Sequence, residues 1–99
     1  MINLNDVAEQ AHTIAGMRGQ KTEVFYALKH CSGEVAEAIE ANFLYNDYRT
    51  TDAKAGLASE LADIIICVLT ASYEAEINIE EALNEAMLKN AKRAYYEKS

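Results

Sequence analysis

The stretch Glu60-Leu-Ala-Asp63-Ile-Ile-Ile-Cys-Val-Leu69 constrains this chain more than any other. Two carboxylates stand at the head of its most apolar run, with no Gly or Pro to interrupt a helix. Residues three apart share a helix face, so Glu60 and Asp63 point the same way. Ionised acids on a helix about to be buried are costly unless a cation or a proton compensates them. Glu34 and Glu37 repeat the spacing one helix earlier. Two such pairs facing each other would make an oxygen-rich cage suited to a divalent metal.

The rest of the chain supports an all-α, four-helix bundle-like fold. It has no Pro and only 4 Gly in 99 residues, too little turn chemistry for a β-sandwich. Ala, Glu, Leu and Lys abound, and all favour helix. The length allows one domain, residues 1–99. The first helix is expected over residues 5–17, N-capped by Asn5, with Val7, Ala8, Ala11, Ile14 and Ala15 on one face. The second covers residues 22–45, with Val24, Leu28, Cys31, Val35 and Ile39 as its core stripe and His30, Glu34 and Glu37 on a separate face. The third covers residues 52–76, capped by Thr51. Its apolar residues cover most of its circumference, as expected of a helix buried on several sides. In so short a chain, that predicts a subunit interface. The fourth starts at Asn78, which has capping-box spacing to Glu81. It ends in a basic segment with Lys89, Lys92, Arg93 and Lys98.

The charge balance excludes some partners. A net charge of −7 opposes nonspecific binding to nucleic acid and to anionic membranes. The run from Ile64 to Leu69 is too short to span a bilayer. Cys31 and Cys67 form no metal-binding spacing and read as reduced core thiols of a cytoplasmic protein. The first residues lack the basic flank and apolar core of a signal peptide.

Four carboxylates in the patterns E-x-x-E and E-x-x-D suit a hard cation. Magnesium prefers oxygen ligands and keeps several waters, leaving positions for substrate phosphates. His30, one turn before Glu34, can contact a ligand or support Glu34. His12 reads as structural.

Four blocks in order carry a resemblance: Glu34-Val-Ala-Glu37-Ala-Ile-Glu-Ala, Glu60-Leu-Ala-Asp63-Ile, Ile77-Asn-Ile-Glu-Glu-Ala and Lys89-Asn90-Ala-Lys-Arg93. Their order and spacing resemble the MazG-type all-α nucleoside triphosphate pyrophosphohydrolases, from about Leu28 to Tyr95. The resemblance implies dimers or tetramers, and Mg2+ (with Mn2+ able to substitute) on Glu34, Glu37, Glu60 and Asp63. It implies cleavage of a nucleotide between its α and β phosphates, giving a monophosphate and pyrophosphate. Glu37 would orient the attacking water. Lys89, Asn90 and Arg93 would contact phosphate or nucleotide. One departure stands at His30-Cys31-Ser32-Gly33-Glu34, where many members carry an acidic pair before Gly-Glu. In that register Cys31 would replace a ligand; the Glu34/Glu37 register keeps both acids. Two other readings are a phosphoribosyl-ATP pyrophosphohydrolase and a non-catalytic helical nucleotide-binding or assembly module.

Overall fold

The computed structural model describes residues 2–97, which form four α-helices and no strand. They are α1 (Leu4–Met17), α2 (Val24–Tyr48), α3 (Thr51–Glu74) and α4 (Ile79–Glu97). The all-α, four-helix expectation holds, and the ends differ from it for local reasons. Asn3, not Asn5, caps α1: its Oδ1 accepts from the N–H groups of Asn5 at 2.9 Å and Asp6 at 3.3 Å. Thr50, not Thr51, caps α3, its Oγ1 accepting from Ala53 N at 3.1 Å. Asn78 does cap α4, accepting from Glu81 N at 3.1 Å. The end of α2 runs to Tyr48, three residues beyond the expected limit. There Arg49 adopts φ 51°, its N–H donates to Tyr45 O at 2.8 Å, and its guanidinium lies 4.7 Å from the Tyr45 ring centre. These contacts offset the cost of a left-handed non-glycine residue.

Asn5 is free to do something the sequence did not reveal. Its amide nitrogen donates to Asn78 Oδ1 at 2.9 Å, and its Oδ1 accepts from Ile79 N at 3.0 Å. Leu4 N donates to Glu80 Oε1 at 2.6 Å beside it. The start of α1 is therefore bolted to the start of α4. Asn5→Ala removes two of these three bonds and is expected to cost about 1–2 kcal/mol, as lost caps do. Hydrogen exchange should show faster exchange in the first turn of α4, with α2 and α3 unchanged.

The three-helix body centres on α3, which packs against both α1 and α2. His12 of α1 pairs with Glu74, and its ring lies 4.9 Å from that of Tyr73. With Asn5 beside Ile79, this sets α1 antiparallel to α3. Apart from Leu69, the buried apolar side chains are small: Ala8, Ala11 and Ala15 from α1, Ala27 and Ala38 from α2, and Cys67 and Ala71 from α3. Small residues let the helix backbones approach closely and bury little apolar area per residue.

The inward face of α2 is shifted from the expected one, keeping Val24 and Cys31 but not Leu28, Val35 or Ile39. Val24, Ala27, Cys31, Glu34, Ala38, Ala41 and Tyr45 turn toward the body, alternating three and four apart. Leu28 is 51 % exposed and Ile39 53 %, so this half of the expected core stripe faces outward. Glu34 sits on this inner face between Cys31 and Ala38, while Glu37 is exposed beside it. On α3, Leu61, Ile65, Ile66 and Val68 are also exposed. Taken whole, α3 is long and apolar enough to cross a membrane, which the six-residue run alone did not indicate. It packs between α1 and α2 and carries four acids, Asp52, Glu60, Asp63 and Glu74.

Helix α4 has no buried residue among those described, and it packs against α1. The radius of gyration, 16.0 Å, exceeds the roughly 13 Å of a compact chain this long, as a projecting helix requires.

Candidate metal centre

The antiparallel packing of α2 on α3 brings the two acid-bearing turns together. One oxygen from each of Glu34, Glu37 and Glu60 lies within 4.8 Å of the other two. Oxygens on opposite sides of a magnesium ion stand about 4 Å apart, so the cluster is of the right size. Glu34 and Glu60 are half-buried and Glu37 is exposed. Glu34 Oε2 and Glu60 Oε2 are shielded from solvent and have no hydrogen-bond partner among the described residues. Buried polar atoms are nearly always partnered, so two unpartnered carboxylate oxygens in one acid cluster fit a site that holds a cation.

The electrostatics agree. Removal from water, a hydrogen bond with Glu37, and the charges of Glu37, Glu34 and Asp63 all push the Glu60 carboxyl above its ordinary value. A raised carboxyl binds its proton more tightly folded than unfolded. Its stabilising contribution is complete below the ordinary glutamate range and is lost as pH rises through the raised value. A cation would replace that proton at neutral pH.

Asp63, expected as the fourth ligand, stands outside the converging trio. It lines the adjoining cavity and adds negative charge near Glu60 and Cys67. His30 lies beside the cluster, with Nε2 3.2 Å from Glu34 Oε1. Lys89, Asn90 and Arg93 are exposed on α4 and do not line this cavity. Cys31 is half-buried and lies outside the converging trio of Glu34, Glu37 and Glu60.

Cys67 lies buried behind the acids. Burial, then the charges of Cys31, Glu34 and Asp63, push its thiol up to about 11. Thiolate is the reactive form, so Cys67 should resist iodoacetamide at pH 8 in the folded protein and react on unfolding. Mass spectrometry of peptides from both states checks this.

The cavity, about 680 Å3, opens between α1, α2 and α3 and reaches Glu34 and Asp63. Arg18 and Lys21, from the end of α1 and the following loop, line it with Gln10, Ile14, Tyr26 and Thr70. The sequence singles out neither Gln10 nor the Arg18–Lys21 segment as part of a site. Neither lies in a motif with recognisable spacing.

Residues 20–96 match the MazG nucleotide pyrophosphohydrolase domain. The chain belongs to the MazG family. The match takes in all of α2 and α3 and most of α4, including every residue of the acid cluster. It places the protein among nucleotide pyrophosphohydrolases, a family typically dependent on divalent metal. Comparison with curated proteins and with solved structures gives no match.

Proposed function

We propose that the protein is a magnesium-dependent nucleoside triphosphate pyrophosphohydrolase, cleaving the α–β phosphoanhydride to a nucleoside monophosphate and pyrophosphate. The observation that carries this reading is the pair of orphaned oxygens, Glu34 Oε2 and Glu60 Oε2, within a three-carboxylate cluster. Glu34 and Glu60 would hold the ion, with Asp63 close enough to reinforce the negative field. Bound Mg2+ or Mn2+ supplies Lewis acidity and neutralises phosphate charge.

The remaining chemistry belongs to the chain. Glu37 is the solvent-exposed member of the trio, so it can meet an incoming water, as a general base must. The water oxygen bonds to one of the two bridged phosphorus atoms, its proton passes to Glu37, and the α–β bridging P–O bond breaks with its electron pair leaving on the other half, so that monophosphate and pyrophosphate separate. His30 holds Glu34 in place through the 3.2 Å contact. Arg18 and Lys21 provide positive charge inside the same cavity.

The exposed apolar residues of α2 and α3 support a homo-oligomer, a dimer or a tetramer. Lys89, Asn90 and Arg93 keep their assignment to substrate phosphate across that assembly, with α4 of one copy meeting the acid cluster of another. The test is a panel of ribo- and deoxyribonucleoside triphosphates and phosphoribosyl-ATP with Mg2+, read by pyrophosphate release. Turnover of triphosphates that stops on chelation supports the proposal. Selective turnover of phosphoribosyl-ATP would reassign the substrate, and no turnover of any compound would refute the activity.

A further inference from the structure

The family match begins at residue 20, so α1 lies outside it. Yet α1 forms one wall of the cavity that reaches the acids. Its packing onto α3 uses Ala8, Ala11 and Ala15, all buried. A neighbouring strip of the same helix, Gln10, Ile14 and Arg18, lines the cavity and is exposed to solvent. These three are spaced by four, so they stand above one another on one face. They present an amide, an apolar surface and a guanidinium in that order.

The direction of α1 gives this order a meaning. Asn5 sits at Ile79 and His12 at Glu74, so the helix runs antiparallel to α3. Arg18 is thereby carried toward the end of α3 that bears Asp63, and Gln10 lies toward Thr70. A nucleotide has the same polarity, with phosphates at one end and a flat base with hydrogen-bonding edges at the other. The volume, about 680 Å3, lies within the usual range of about 300–1,000 Å3 for small-molecule sites. Lys21 is already placed at the cavity, 4.5 Å above the Tyr26 ring.

We infer that α1 is the base-selecting wall of the site. The base lies on Ile14, Gln10 hydrogen-bonds its edge, and Arg18 with Lys21 binds the phosphates beside the acids. The inference rests on the nucleotide reading of the site, and adds that specificity is set by residues outside the family segment. A side-chain amide both donates and accepts, so it discriminates between base edges.

The experiment compares wild type with Ile14→Trp, Gln10→Leu and Arg18→Ala. It measures steady-state kinetics on the triphosphate panel and calorimetric binding of nonhydrolysable α,β-methylene triphosphates with Mg2+. The three side chains are exposed, and thermal melts confirm that each variant folds. Ile14→Trp should raise KM and the analogue Kd at least tenfold, with Mg2+ binding in the absence of nucleotide unchanged. Gln10→Leu should narrow the spread of kcat/KM among bases by about tenfold, one hydrogen bond's share. Arg18→Ala should weaken triphosphate binding more than nucleoside monophosphate binding. Wild-type KM, Kd and base ranking in Ile14→Trp and Gln10→Leu would overturn the inference while leaving the activity intact. If wild type binds the analogues without hydrolysing any nucleotide, and Ile14→Trp abolishes that binding, the inference stands and the reaction assignment falls. No analogue binding by wild type overturns both.

Discussion

Glu60→Gln is expected to abolish pyrophosphate release while raising the melting temperature of the metal-free protein. The two effects have one cause. Glu60 carries an oxygen with no partner among the described residues, and Glu34, Glu37 and Asp63 all add repulsion to its ionised form. Glutamine keeps the shape, removes the charge and can donate a hydrogen bond to Glu37. Without metal, the fold loses a repulsive group. With metal, the site loses a ligand. A lost metal ligand removes several kcal/mol of transition-state stabilisation, a drop of about a thousandfold in turnover. The pH dependence follows the same sign. Metal-free wild type should lose stability as pH rises through the raised Glu60 value, and Mg2+ should restore it. Glu60→Gln should show a flatter profile and little response to Mg2+. Thermal melts across pH 4–8, with and without Mg2+, check all of this. A Glu60→Gln protein melting below metal-free wild type would show that Glu60 is a structural carboxylate.

The second large effect is expected at the outward apolar faces. Phe43 is 62 % exposed on α2 and Ile65 56 % on α3, while no large side chain is fully buried in the described body. Fully covering a large apolar side chain contributes about 1.5–3 kcal/mol, and several such residues are available here. The protein should therefore sediment at a multiple of 11.0 kDa at micromolar concentration. Ile65→Glu places a charge in the shared interface and should yield a monomer or an unfolded chain with greatly reduced activity. The assembly also bears on the basic helix. Lys89 and Arg93 stand clear of their own acid cluster, so a mixture of Arg93→Ala and Glu60→Gln chains should recover part of the activity that each lacks alone. Co-expression with two tags and purification of the mixed species tests this. A monodisperse wild-type monomer that turns over nucleotides would contradict the assembly.

Four helices were legible in the sequence because breakers are few and the starts of α1, α3 and α4 carry capping residues; α2 begins at Glu23 without a side-chain cap. The caps themselves slipped by one or two positions, since Asn3 and Asn5, or Thr50 and Thr51, are chemically equivalent until tertiary bonds choose between them. Asn5 was unavailable as a cap because α4 engages its side chain. The acid trio was legible from three-residue spacing on consecutive helices. The orientation of α2 was not. Periodicity identifies an apolar stripe but cannot say whether the chain itself or another copy covers it, and here Leu28 and Ile39 face out while Glu34 faces in. The cavity wall of α1 was least legible. Ile14 was expected on the core face of α1 but is 55 % exposed, and Gln10 and Arg18 look like ordinary surface residues until α1 is laid along α3.

The central claim is that the acid cluster serves cleavage between the α and β phosphates. Phosphorus NMR of the products, with Mg2+ present and excess triphosphate, tests it most directly. The expected spectrum shows nucleoside monophosphate and pyrophosphate growing in equal amounts, and neither forming with Glu60→Gln. Orthophosphate and nucleoside diphosphate in their place, or no product from the wild-type protein, would contradict the account.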